Sequence, residues 1–131
     1  MIQAYFTLIQ TLIDGYAGAN FVLDVKLSFE SRPGEQGYLT GSMTFVDGSV
    51  LHFREFLDTV QENVDKVMYT YHYQNASNQL IFRYDNALDP KAKAMETYSE
   101  HKHLPGNLLP AKRPSIEGVL KEISNLMEAE R

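Results

Sequence analysis

Apolar residues open the chain at Ile2, Tyr5, Phe6, Ile9, Leu12, Ile13 and Tyr16, steps of three and four that draw one stripe on a helix of 3.6 residues per turn. Gly15 and Gly18 supply its stop. The period then changes to two. Phe21, Leu23, Val25, Leu27 and Phe29 alternate with residues such as Asp24, Lys26, Ser28 and Glu30, which predicts a strand with one buried and one wet face. Residues 31–37 contain a Pro-Gly pair and connect it to a second strand at 38–46.

Asp47-Gly48 lies between two β-rich runs and predicts a two-residue type I′ turn, in which both central residues take positive φ. Pairing Val46 with Ser49 sets Met43 against His52 and Gly41 against Arg54. His52 and Arg54 then share one face, and Leu51, Phe53 and Glu55 the other. Residues 59–65 read as a polar connector. A second hairpin covers 66–85 and turns at 75–78. Pairing Asn75 with Asn78 sends Tyr69, Tyr71, Tyr73, Leu80, Phe82 and Tyr84 to one face and Thr70, His72, Ile81, Arg83 and Asp85 to the other.

From 86 to 114 the regular pattern lapses. A short helix fits 88–98, but prolines, charges of both signs and a His pair mark the stretch mostly as loop. Ser115 is placed to cap a closing helix whose stripe is Ile116, Val119, Leu120, Ile123, Leu126 and Met127, and the charged tail at 128–131 is expected to fray. The order is helix, five strands, long loop, helix. It predicts one α+β domain over 1–131, a five-stranded antiparallel meander sheet with the N-terminal and C-terminal helices packed on one face. The other face is left for chemistry.

Charge and composition narrow the chemistry. Lys and Arg number 12 against 17 Asp and Glu, net −5, so bulk attraction to DNA is excluded and any anion site must be local. There is no Cys, hence no disulfide, thiolate zinc site or cysteine nucleophile. The start of the chain lacks both the basic region of a signal peptide and the ~20 apolar residues of a membrane span, so a cytoplasmic protein without a membrane partner is expected. No phosphate-binding Gly loop, dinucleotide fingerprint or nucleophile elbow occurs, and no cofactor is expected.

On the face away from the predicted helices, His72 lies diagonally from Arg83, with Asp85 two residues beyond. Arg can hold a phosphate while His transfers a proton, since imidazole titrates near neutral pH and guanidinium does not. The plain alternative is a half-wet sheet surface in which Arg83 and Asp85 neutralise each other. His101-Lys102-His103 is the densest polar cluster. In an extended segment its two His point the same way and are spaced to ligate one metal, with Asp85, Asp89 and Glu100 as candidate third ligands that spacing does not choose between. An acid/base pair with Lys102 stabilising phosphate charge is the other reading. Between 88 and 114, Lys91, Lys93, Lys102, Lys112 and Arg113 outnumber Asp89, Glu96 and Glu100, which fits an RNA-binding edge. Tyr69, Tyr71 and Tyr73 offer faces for unpaired bases, or else pack as an aromatic layer under a helix.

Four blocks carry a family resemblance: Asp47-Gly48-Ser49-Val50-Leu51-His52-Phe53-Arg54-Glu55-Phe56, Tyr69-Thr70-Tyr71-His72-Tyr73-Gln74-Asn75, Leu80-Ile81-Phe82-Arg83-Tyr84-Asp85-Asn86-Ala87 and His101-Lys102-His103. Their order and spacing resemble the TumE family of prokaryotic proteins. The resemblance implies the toxin half of a toxin-antitoxin pair, with a cognate antitoxin as partner and an intracellular target. It carries over Glu55, Tyr71, His72, Arg83, Asp85, Asn86, His101 and His103 as positions of interest. In the family pattern Asp-Asn-Ala is followed by Pro-His-His, whereas Leu88-Asp89-Pro90 follows Ala87 here. Two functions are therefore weighed: a toxin acting on RNA through His72, Arg83, Asp85, His101, Lys102 and His103, and a non-enzymatic domain that binds a protein partner. A homodimer is the further assembly considered.

Overall fold

The computed structural model of the chain describes residues 1–87 and 100–129. Its elements in order are α1 (Ile2–Ala17), β1 (Val22–Arg32), β2 (Gln36–Phe45), β3 (Val50–Val60), β4 (Asn63–Gln74), β5 (Leu80–Asp85), β6 (His101–Leu104), β7 (Asn107–Pro110) and α2 (Ile116–Ala129). The strands form one antiparallel sheet in chain order, a meander in which each strand pairs with its sequence neighbours.

Both helices form where the apolar stripes place them. α1 buries Ile2, Phe6, Ile9 and Ile13, and α2 buries Ile116, Val119, Leu120 and Ile123. Ser115 Oγ accepts the backbone N–H of Gly118 at 3.0 Å, which satisfies one of the four donors a helix start leaves free. These residues pack on Leu39, Met43, Leu51, Phe53, Tyr71, Tyr73 and Phe82, so both helices cover the same sheet face. Tyr69, Tyr71 and Tyr73 are thus the packed aromatic layer, not a stacking surface. Among the described residues no helix is long and apolar enough to cross a membrane.

Among the described residues the sheet has seven strands, not five. β6 and β7 lie in the stretch read as loop, joined by Pro105 and Gly106, the latter at φ 71°. Each has only four residues and neither contains a β-branched residue, so both fall below what alternation can detect. The short helix expected at 88–98 lies outside the described residues.

The turns also differ from expectation. Between β2 and β3, Phe45 N–H donates to Ser49 O at 2.9 Å and Gly48 N–H to Phe45 O at 3.0 Å, a three-residue loop in which only Gly48 has positive φ. Asp47 Oδ1 accepts the Ser49 N–H at 2.9 Å, so the aspartate acts as a side-chain cap rather than as a left-handed turn residue. The extra loop residue moves the register by one: Met43 pairs with Leu51 and Ser42 with His52. The residues read as a polar connector instead complete β3 and β4 around Gln61 and Glu62, both at positive φ. At the β4–β5 turn, His72 lies directly opposite Arg83, not diagonal to it. In β1 a bulge between Val22 and Asp24 turns Leu23 outward, 66% exposed. The faces predicted for β3 and β4 survive these slips, because alternation within a strand does not depend on its partner.

Candidate active site on the open face of the sheet

The registers line up two rows of side chains on the sheet face opposite α1 and α2. One row crosses five strands as Ser42, His52, His72, Arg83 and His103. The row beside it carries Thr40, Arg54, Thr70, Asp85 and His101. In each row the side chains are cross-strand neighbours, ~4.5 to 5.5 Å apart at Cβ in an antiparallel ladder. Thus His72, Arg83, Asp85, His101 and His103, read separately from the sequence, lie side by side. His52 and Arg54 extend the group. Their face was legible from β3, but only the continuous register joins them to the rest.

Asp85 is the centre of the cluster. Its Oδ1 lies 2.7 Å from His101 Nε2 and its Oδ2 2.8 Å from Arg83 Nε, with His103 Nε2 at 3.5 Å from Oδ2. The Arg83 contact is an ion pair, and among the described residues its Nε–H has no hydrogen-bond acceptor. Asp85 and His101 are almost wholly buried, whereas the side chains of Arg83 and His103 are 37% and 29% exposed. The His101 and His103 rings meet edge to face at 4.8 Å. A shallow depression of about 410 Å³ opens beside them, lined by Thr40, His52, Arg54, Thr70, His72 and Arg83. Burial, and next the Arg83 guanidinium, hold the His72 imidazole below its ordinary value, against a side-chain hydrogen bond with Gln74 that favours the charged form. A neutral imidazole beside a fixed cation can accept a proton from a group bound to that cation.

Lys102 does not join this group. Between two His that face outward, it points to the helix side, where its Nζ donates to Glu122 Oε2 at 2.7 Å and lies over the Phe82 and Tyr84 rings. Burial works against its charge, but the bonds to Glu122 and Tyr84 outweigh it and hold the ammonium above its ordinary value. Glu100 is also committed elsewhere, to Arg113 Nε at 2.5 Å. Asp89 lies outside the described residues, as does the rest of the 88–90 departure from the family pattern.

Glu55 and Tyr71 belong to a second polar group, beneath the helices. The hydroxyls of Tyr5 and Tyr71 donate short hydrogen bonds to the Glu55 carboxylate. Lys66 Nζ donates to Tyr71 Oη at 2.6 Å and to Pro114 O at 2.8 Å. Lys66 reaches this side because β4 bulges where Phe56 and Leu57 of β3 face Met68 and Lys66, leaving Val67 as the extra residue. Asn86 fastens that bulge, its Oδ1 accepting from Tyr69 N at 3.1 Å and its Nδ2 donating to Val67 O at 2.9 Å. Burial, then the Glu55 charge, push both tyrosine hydroxyls well above their ordinary range, while burial lowers Lys66. The sheet separates this group from the open face.

A family model described as Toxin TumE matches residues 9–131. No curated protein and no solved structure matches the chain.

Proposed function

Since the chain belongs to the TumE family of toxins, we propose that it is the toxin of a toxin-antitoxin pair and that it cleaves RNA on the open face of its sheet. The observation that carries this reading is the row His72, Arg83, His103, two imidazoles flanking a guanidinium across three adjacent strands. Cleavage of RNA at its own ribose needs three things: a cation on the phosphate, a base at the 2′-hydroxyl on one side and a proton donor at the leaving oxygen on the other. Arg83 supplies the first, with Arg54 in the next row to extend the phosphate track. His72, held neutral, takes the 2′-hydroxyl proton. The 2′-oxygen then bonds to phosphorus, and the bond to the 5′-oxygen of the next nucleotide breaks, leaving a 2′,3′-cyclic phosphate. His103, on the far side of Arg83, gives its proton to the 5′-oxygen, and exchange with solvent then returns the proton from His72 and restores that of His103. The local excess of Arg and His on this face fits a polyanion even though the chain as a whole is at −5.

The test is growth on overexpression. Wild-type protein slows growth, and co-expression of the adjacent antitoxin restores it. His72→Ala and Arg83→Ala lose the effect while keeping the wild-type circular dichroism spectrum. A wild-type chain that never slows growth contradicts the reading.

A non-enzymatic reading has one observation in its favour. Val60, Val67 and Met68, at 50%, 42% and 56% exposure, put apolar surface at the β3–β4 end of the sheet. Under that reading Met68→Ser abolishes growth arrest and His72→Ala does not.

A further inference from the structure

We propose that Asp85, His101 and His103 bind one first-row divalent transition ion, zinc being the natural probe. One donor atom from each residue lies within 4.8 Å of the others. In a tetrahedral zinc site with bonds of ~2.0 to 2.1 Å, donors stand about 3.4 Å apart. His101 Nε2 stands 2.7 Å from Asp85 Oδ1 and opens by roughly 0.7 Å to reach that spacing, and His103, whose Nε2 is 3.5 Å from the other oxygen of the same carboxylate, is close enough to complete the set. The scaffold suits the purpose. Two alternate positions of β6 project both imidazoles to one face, and the direct partner of His101 on β5 supplies the carboxylate.

Burial points the same way. Asp85 and His101 are nearly inaccessible, and His101 Nδ1 has no hydrogen-bond partner among the described residues. A carboxylate and an imidazole are costly to bury where apolar side chains would serve as well, and an ion between Asp85 and the His101 Nε2 offsets that cost. Arg83 leaves room for one. It engages Asp85 through Oδ2, which leaves Oδ1 for the ion and steadies the carboxylate as an outer partner of a ligand commonly does. Imidazole donors select zinc and its neighbours over magnesium or calcium, which take oxygen. Among the described residues three protein donors come together, which leaves a position for water or a phosphate oxygen, the pattern of catalytic rather than structural sites.

The role of the ion deepens the RNA reading and rests on it. Held by Asp85, His101 and His103, the ion would supply a bound water in place of His103 as the proton source for the departing 5′-oxygen, while His72 keeps its role as the base. The ion also adds positive charge beside Arg83, where the phosphate binds.

Calorimetric titration of chelator-stripped, full-length protein with zinc, in the absence of RNA, tests the site. One ion per chain is expected, with affinity reduced at least tenfold in Asp85→Asn and His103→Ala and unchanged in Glu117→Gln, an exposed carboxylate on α2. Zinc also raises the melting temperature of the wild type but not of His103→Ala, whose partly exposed position makes a folded variant the expected outcome. Absent saturable binding, or an affinity that ignores both ligand variants, overturns the site. Zinc bound without any RNA cleavage leaves the site standing and overturns the RNA reading; cleavage by protein that binds no zinc does the reverse.

Discussion

His72 of β4 and Arg83 of β5 face each other directly across the sheet, so an imidazole held neutral and a permanent cation share one exposed surface. Their pairing sets an acid dependence. Because the folded-state value of His72 lies below the unfolded one, the unfolded chain binds the proton more readily. The stabilisation associated with neutral His72 is therefore present above the ordinary value of ~6.5 and is lost as pH falls through the folded value. Urea unfolding from pH 7.5 down to pH 5 measures it. His72→Gln is expected to flatten the His72 component of the slope; an unchanged slope contradicts the assignment.

Asp85 holds the cluster together, and its removal exposes the cost of the arrangement. Asp85→Ala leaves Arg83 and His101 without their carboxylate, and His101 is buried. Breaking a buried ion pair from one side costs ~3 to 5 kcal/mol, and the partly exposed Arg83 places this case toward the lower end. Chemical denaturation should show a loss of about 3 kcal/mol.

The network under the helices is predicted to matter for stability and not for chemistry. Tyr71→Phe removes one donor to Glu55 and the acceptor of Lys66, and is expected to cost about 1 to 3 kcal/mol. A Tyr71→Phe protein that remains folded should slow growth as the wild type does. Loss of toxicity in a folded Tyr71→Phe variant would place the reaction on the helix side instead.

Asn86 is predicted to act through the β4 bulge. Asn86→Ala leaves the Tyr69 N–H and the Val67 carbonyl without these partners, and should lower stability by about 1 to 2 kcal/mol in denaturation. Hydrogen exchange at Tyr69 is expected to quicken more than at residues of β2.

What the sequence made legible follows from what each signal depends on. The helix stripes and strand faces depend only on local periodicity, so α1, α2 and the outward His72, Arg83 and Asp85 could be read directly. Register depends on turn geometry. There a single positive-φ residue, Gly48 without Asp47, shifted the β2–β3 pairing by one. The union of Asp85 with His101 depends on β6 lying beside β5, which the short, weakly patterned β6 did not announce. The alternation of His101, Lys102 and His103 around an extended backbone, followed by Pro105-Gly106, was the available signal. It would also have sent Lys102 to the opposite face. The Lys66 inversion rests on a bulge, for which the sequence carries no clear mark.

The central claim is that this sheet face cleaves RNA with Arg83 on the phosphate and His72 as the base. Incubation of the purified protein with a single-stranded RNA and with the same sequence carrying 2′-deoxyriboses tests it most directly. The account predicts RNA fragments ending in 2′,3′-cyclic phosphate, no cut in the deoxy strand, and rates reduced at least ~100-fold in His72→Ala and Arg83→Ala. Intact RNA, or cleavage that both variants perform at the wild-type rate, would contradict it.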